Sequence, residues 1–348
     1  MIRKIYLLSI GLFSLYSCQH PVNEQNALIL TDSEIENNTI TNLYDAFGKN
    51  RDGLIKDFGF SALIKYKGKL ILFDGGTNAD ILKSNVDALG IDLKSIDFAV
   101  GSHAHGDHLN GFDYLLQVNP NVKIYLPHDF YIGAKINFNV EGKEKMIIDS
   151  LPEEMRYFGG GDENLNLKIN QTGRFWKANI EFVKENIKLE NGINLISTRS
   201  PYLGYGSKYP SVAEMNAFGS VDKQNDENEM TFVGLPELSL SLSTDDGEIL
   251  VVGCSHSSVQ NIIKETKTFT NEQVSLLYGG YHMLPYGRKE IETIASQLKN
   301  DFDVKKIAPT HCTGHLAFKI LKDTYEENYV FAGLGERIKF NLSPINNN

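Results

Sequence analysis

Positive charge is the first thing this chain is short of. It carries 34 lysines and arginines against 44 acidic residues, a formal net charge of −10. That balance argues against a nucleic-acid backbone as the main partner, because phosphate binding needs a basic face. A small-molecule substrate is not excluded, even an anionic one, because bound metal ions can reverse the local sign. Cysteine occurs only three times, too rarely for a disulfide-stapled scaffold. Repeats and long low-complexity stretches are absent. So is any apolar run of the roughly 20 residues that a spanning helix needs. Histidine is missing from the whole stretch between His128 and His256.

What is present suits a globular protein. The 348 residues, 41% of them hydrophobic, allow one large domain or two small ones with a sizeable core. Arg3 and Lys4 precede an apolar run from Ile5 to Tyr16, the pattern of a secretory segment. Leu15-Tyr16-Ser17-Cys18 resembles a bacterial lipobox. That resemblance implies a signal peptide over residues 1–17 and a lipid on Cys18. Residues 18–27 are then a tether, and the protein is exported and anchored on the periplasmic side of a bacterial membrane. Ordinary cleavage, with Cys18 incidental, is the alternative. The catalytic domain is expected over residues 28–342, with a polar tail at 343–348. Export would expose Cys254 and Cys312 to oxidation, so a disulfide is open to them. Their motif contexts suggest another use.

Alternating apolar residues predict strands at Gly59–Tyr66 and Lys69–Phe73 around the turn Lys67-Gly68. A helix is expected over Ala79–Leu89, a buried strand over Ile96–Val100, a helix over Leu109–Leu116 and a strand over Lys123–Leu126. From about 130 to 230 the periodicity weakens, which reads as a long elaboration on the scaffold. Trp176, Tyr202, Tyr205 and Tyr209 fall there, either lining a pocket or packing. Strands are expected again at Leu238–Ser243 and Ile249–Gly253. Two strand–helix pairs follow, Val274–Tyr278 with Ile291–Leu298 and Lys305–Ala308 with Leu316–Leu321. Arg337–Phe340 closes the series. The alternation predicts an α/β layered protein, and the early hairpin makes its sheets mixed.

The densest chemical signal is Ser102-His103-Ala104-His105-Gly106-Asp107-His108, directly after the strand ending at Val100. Imidazoles and a carboxylate are ligands that borderline divalent ions prefer. In extended chain His103 and His105 would point the same way and share one ion. Gly106 allows a turn, Asp107 suits a helix N-cap, and Asp107 with His108 would face a second ion. A solvent-facing polar loop is the bland alternative. Four more motifs place a polar group at the end of an apolar strand: Asp74-Gly75-Gly76, Cys254-Ser255-His256, Gly279-Gly280-Tyr281-His282 and His311-Cys312-Thr313-Gly314. Strand ends on one edge of a layered α/β protein converge on one cleft.

With these motifs in hand, the chain resembles the metallo-β-lactamase-like hydrolase superfamily. Gly-Cys-Ser-His, Gly-Gly-Tyr-His and His-Cys-Thr-Gly are similar to a branch of dihydropterin-ribofuranosyl-aminobenzene phosphate synthase-like proteins. The resemblance implies an αββα sandwich of four layers, two mixed sheets flanked by helices. It also implies two divalent metal ions, zinc foremost and manganese the alternative, with a metal-bridged hydroxide as nucleophile. Site one would use His103, His105 and a third histidine, for which His256 stands in because the usual stretch has none. Site two would use Asp107, His108 and His311. Cys254 occupies the place of a bridging aspartate, as a ligand or as a small buried residue beneath the site. His256 could instead support a ligand from behind.

Asp74 is expected to accept a hydrogen bond from a ligand imidazole, or else to shape a turn. Asp107 and His282 are the candidate catalytic residues, His282 as a substrate-facing donor or general acid, with a plain loop histidine as its alternative. Cys312 is expected to pack inward, Thr313 and Gly314 to shape the loop behind His311, and His128 and His315 to lie at the surface or behind ligands. The implied activity is hydrolysis, phosphodiesters ahead of lactones or β-lactams. A metal-containing binding lipoprotein without turnover is the reading of another class.

Overall fold

The computed structural model describes residues 38–128, 135–139, 147–157, 166–170, 178–190, 192–200, 221–223, 230–232 and 235–340. The proposed signal segment, Cys18, the tether, the polar tail, Trp176, Tyr202, Tyr205 and Tyr209 lie outside them. The first strands are β1 (Thr39–Tyr44), β2 (Ser61–Tyr66), β3 (Lys69–Phe73), β4 (Phe98–Val100) and β5 (Lys123–Pro127). Then come β6 (Lys135–Asn139), β7 (Asn166–Asn170), β8 (Asn179–Val183), β9 (Ile187–Glu190) and β10 (Ile193–Arg199). The series ends with β11 (Val221–Lys223), β12 (Met230–Phe232), β13 (Pro236–Thr244), β14 (Gly247–Val252), β15 (Val274–Gly280), β16 (Lys306–Thr310) and β17 (Arg337–Lys339). One sheet runs β17-β1-β2-β3-β4-β5-β8 and the other β16-β15-β14-β13-β10-β9, with small pairs β11-β12 and β6-β7.

Both large sheets are mixed. β3 pairs parallel with β4, β14 with β15, and β15 with β16, while β2–β3 and β13–β14 are antiparallel. Side chains alternate between faces as strand geometry requires. Ile71 and Phe73 join the core between the sheets, while Leu72 faces outward. Val251 and Tyr278 also enter the central core, with Leu250, Val252 and Leu277 turned to the opposite face.

Helices cover both outer faces. Helix α1 (Ala79–Ala88) starts where Asn78 Oδ1 accepts the Asp80 and Ile81 N–H groups, and it buries Leu82 and Val86 against the first sheet. Helices α2 (Gly106–Leu109) and α3 (Phe112–Val118) follow the histidine cluster. On the second sheet lie α4 (Val259–Thr270), α5 (Arg288–Asn300) and α6 (His315–Tyr325). The four-layer α/β/β/α order expected from the sequence is therefore the fold. Among the described residues no helix is long and apolar enough to cross a membrane.

Five details differ from the sequence reading. The strand ends at Val100, and His105 N–H bonds the His103 carbonyl at 2.9 Å, so the two histidines share a bend rather than extended chain. Asp107 lies inside α2, whose N-cap is His105. The helix expected at Leu109–Leu116 is broken at Asn110-Gly111, because Gly111 N–H turns to the Gly76 carbonyl at 3.0 Å. Part of the supposed elaboration belongs to the sandwich: β8 extends the first sheet and β9 and β10 the second. Helix α4 escaped notice since threonines with poor helix propensity fill its last turns. Thr266 and Thr270 hydroxyls bond carbonyls one turn back.

The break at Gly111 locks the first sheet to the histidine cluster. Gly75 N–H bonds the His108 carbonyl at 2.6 Å, and a Cβ on Gly111 would lie 1.7 Å from the Gly75 oxygen. Gly111→Ala must force these backbones apart, and it should cost roughly 3 kcal/mol or more of stability in a denaturant titration. A loss below about 1 kcal/mol would mean that the junction yields freely.

Candidate metal centre

The ends of the parallel strands meet at one edge of the sandwich. β3 delivers Asp74, β4 delivers Ser102 to His108, β14 delivers Cys254 to His256, β15 delivers His282 and β16 delivers His311. All the candidate ligands are buried.

Asp74 anchors the group. Its carboxylate accepts the Ser102 N–H at 2.7 Å, the Ser102 hydroxyl at 2.8 Å and His108 Nδ1 at 2.6 Å. The sequence expected Asp74 either to hold an imidazole or to shape a turn; with φ of 57° it does both. With Nδ1–H committed to Asp74, His108 turns a lone pair on Nε2 into the site. Ser102 spends its hydroxyl proton on Asp74, so it accepts from His103 Nδ1 at 2.9 Å. His103 Nε2 is thereby bare as well. Gly253 is required here, since a Cβ would sit 2.2 Å from Ser102 Oγ.

Two donor groups result. In the first, His103 Nε2 stands 3.0 Å from His105 Nδ1 and 3.2 Å from His256 Nε2. In the second, His108 Nε2 is 3.1 Å from Cys254 Sγ, and Asp107 Oδ2 is 3.1 Å from His311 Nε2. The His103 and His108 rings are 4.2 Å apart between centroids, which places the groups side by side. His282 lies tilted against His256 with ring centroids 4.2 Å apart, and it also groups with Cys254 and Cys312. A small cavity beside the groups, with about 10 Å³ open to the centre of a water-sized molecule, is lined by Phe58, His105, Asp107, Cys254, His256, His282, Leu284 and Cys312.

The donors fit divalent metal ions. Tetrahedral nitrogen ligands about 2.0 to 2.1 Å from zinc stand about 3.3 to 3.4 Å from one another, close to the spacing in the first group. His105 Nε2, Asp107 Oδ1, both His282 nitrogens and His311 Nδ1 are buried without hydrogen-bond partners, and Asp107 Oδ2 and His311 Nε2 have only each other. Each orphaned polar atom costs about 1–3 kcal/mol, so their concentration in one place calls for a ligand.

Electrostatics agree. Burial holds His105 down to about 3 and keeps His103 and His256 well below the usual imidazole range, so all three are neutral donors. Burial alone would raise Asp107, but the imidazoles of His108, His311 and His105 bring it down to about 2. Burial would lower His311, yet Cys312, Asp107 and Asp45 together carry it up to about 9.

Two buried carboxylates went unnoticed in the sequence. Glu237, at the start of β13, accepts the His256 N–H at 2.8 Å, the Ser257 N–H at 2.7 Å and the Ser257 hydroxyl at 2.8 Å. Asp45, just after β1, accepts the His311 N–H at 3.1 Å, Ala46 N–H at 2.8 Å and Asn42 Nδ2 at 3.0 Å. Their only sequence signal is a carboxylate beside an apolar strand. Thr313, as expected, braces the His311 loop: it donates to the Thr310 carbonyl and accepts from Tyr281 N–H. Cys312 packs inward. His128 is exposed, whereas His315 is fully buried and accepts the Tyr157 N–H at 3.3 Å, so it is no surface residue.

Glu237→Ala would strand three donors, and unfolding should become easier by about 2 to 4 kcal/mol. A urea titration measures this; an unchanged midpoint would show that water replaces the carboxylate without cost.

Comparison with known proteins comes last. The Metallo-beta-lactamase superfamily profile matches residues 54–170. The chain is 26% identical over 321 residues to the 7,8-dihydropterin-6-methyl-4-(beta-D-ribofuranosyl)-aminobenzene-5'-phosphate synthase of Methanocaldococcus jannaschii, covering 90% of this chain and 100% of that one. An uncharacterised protein of the same organism is 27% identical over 288 residues, 80% of this chain and 92% of its own. Among solved structures, a metal-dependent hydrolase of the beta-lactamase superfamily superposes with a TM-score of 0.60 at 24% identity, covering 87% of this chain and 99% of that one.

Proposed function

We propose, from the premise that this chain carries a metallo-β-lactamase superfamily domain, that it is a hydrolase working with two divalent metal ions. Zinc is the first choice and manganese the second. His103, His105 and His256 would hold one ion, and Asp107, His108, Cys254 and His311 the other. One observation carries this reading: seven buried donors from three strand ends converge into two adjacent groups, with several of their polar atoms otherwise unpartnered. Bound there, such ions supply Lewis acidity and lower the pKa of water enough to yield a nucleophile near neutral pH.

The chain's own residues do the rest. Asp74 and Ser102 fix the tautomers of His108 and His103, while Glu237 and Asp45 hold the backbones of His256 and His311. Phe58 and Leu284 make part of the cavity wall apolar and limit water. Asp107 lines the cavity and, in this reading, steers the attacking water. His282, buried over His256 with both nitrogens unpartnered, donates a proton to the departing oxygen. Phosphodiesters, lactones and β-lactams all release a group that such a donor can protonate; phosphodiesters are placed first because the His282 motif resembles the donor histidine of phosphodiesterase members of the superfamily.

A second reading has the length-wide likeness to a synthase in its favour. Bond formation at this cleft needs a second organic substrate, whereas water is always present, so hydrolysis is preferred. A binding protein without turnover is disfavoured by the full set of donors.

His103→Ala and Asp107→Ala should each lower turnover by about a thousandfold or more. Chelation should abolish activity, and zinc or manganese should restore it. Assays with bis(4-nitrophenyl) phosphate, a lactone and a chromogenic cephalosporin rank the substrates. Silence on all three with metals bound would favour the synthase or binding reading, and full activity in either mutant would refute the ligand set.

We further propose export and lipid attachment at Cys18, supported by Arg3-Lys4, the apolar run and Ser17-Cys18. Cells fed a labelled fatty acid should incorporate it into this protein and not into Cys18→Ala; equal labelling of the two would end the proposal.

A further inference from the structure

We propose that Cys254 and Cys312 are a redox-reactive dithiol, a modification site at which a hydroperoxide closes a disulfide and withdraws Cys254 from the metal centre. The last clause rests on the reading of Cys254 as a donor; the disulfide itself does not. Both thiols are free and buried, and their sulfurs stand 3.2 Å apart. They come from strands that are not neighbours: Cys254 follows β14, Cys312 follows β16, and β15 runs between them. The end of β15 is Gly280, where a Cβ would lie 2.9 Å from Cys312 Sγ. A glycine there leaves open the space in which the two sulfurs meet.

The pair sits on a boundary. On one side Cys254 Sγ faces His108 Nε2 at 3.1 Å. On the other, both thiols join the apolar cluster of Phe58, Leu284 and Phe318. Both also line the small cavity over the donor groups, so a reagent little larger than water, such as hydrogen peroxide, has a way to them. A third ion bound by Cys254, His282 and Cys312 is the competing use of these groups. Two thiolates on one zinc ion, each about 2.3 Å from it, stand about 3.8 Å apart. The observed 3.2 Å lies between that separation and the length of a disulfide, about 2.05 Å, so the sulfurs part to share an ion and close to form the link.

The chemistry closes without other reactants. Cys312 sulfur attacks a peroxide oxygen, the O–O bond breaks, and water leaves with Cys312 as the sulfenic acid. Cys254 sulfur then attacks Cys312 sulfur, the S–O bond breaks and a second water leaves. Two thiol hydrogens and two electrons have passed to hydrogen peroxide. Once bonded to Cys312, the Cys254 sulfur is no longer a thiolate, and the group of Asp107, His108 and His311 loses its soft donor.

The test uses the full reduced chain, stripped of metal, treated with stoichiometric hydrogen peroxide and then alkylated. Peptide mapping should find Cys254 linked to Cys312 in a product two hydrogens lighter. Zinc uptake, read by elemental analysis, should fall from about two ions per chain to about one, and dithiothreitol should restore it. Cys312→Ser and Cys312→Ala should both lack the link and the reversible fall in uptake. Two thiols that stay open to alkylation after peroxide would overturn the proposal, as would a link that leaves zinc uptake unchanged. Reduced protein that takes up no zinc would instead refute the metal reading, while the mass of the peptide still reports on the dithiol.

Discussion

The buried carboxylate of Asp74 is the contact on which the candidate centre depends. It ties the end of β3 to the chain leaving β4 through the Ser102 N–H and hydroxyl, and to α2 through His108. Two imidazoles take their tautomers from it, one directly and one through Ser102. The backbone closes around the same point: Gly75 N–H bonds the His108 carbonyl and Phe60 N–H bonds the Asp107 carbonyl. A turn of only four residues, Gly106–Leu109, could not hold a site by its own helix energy. It is held because the first sheet grips its carbonyls and its side chains together. The second sheet then has to approach Ser102 closely, and Gly253 permits that approach.

Much of this was legible in the sequence, for a specific reason. Apolar strands followed at once by histidine, cysteine or aspartate mark both a layer and the edge where the layer ends, so Asp74, His103, Cys254, His282 and His311 could be placed on one rim before any fold was known. Periodicity carried β2, β3, β14, β15 and α5 in the same way. What stayed hidden was tertiary. Nothing local says that Gly111 will turn its N–H to Gly76 and split a helix. Nothing distinguishes Glu237 or Asp45 from any other acid beside a strand, because their role is to accept N–H groups from loops 19 and 266 residues away. Helix α4 hid behind threonines, whose propensity argues against the helix that packing enforces.

The electrostatics of the rim explain how so many imidazoles share a small volume. Protonated, they would repel one another and pay for desolvation. Burial drives His103, His105 and His256 toward the neutral form, so the first group is a set of lone pairs with no counterion of its own. The second group differs, because Asp107 and its neighbours favour positive charge at His311. One cluster therefore waits for a cation, while in the other a proton on His311 stands where a cation would go. Such asymmetry arises because Asp107 is the one carboxylate among the seven donors and it lies in the second group.

Cysteine at position 254 changes the character of the second group more than its shape. A carboxylate there would be a hard donor, indifferent to oxidants, and would add a second negative charge beside Asp107. A thiol adds charge only when it loses its proton, which burial opposes and a nearby dication favours. Affinity at that position is therefore coupled to the metal that occupies it, softer ions gaining more. The same sulfur lies against a second thiol on its apolar side. Under the proposed assignment, a donor that is selective for soft cations and also oxidisable would make the second group the adjustable half of the centre. The all-histidine first group, braced by Asp74 through Ser102 and by Glu237, has no comparable oxidisable donor. Whatever tunes this protein's chemistry should therefore act through the strand end that carries Cys254.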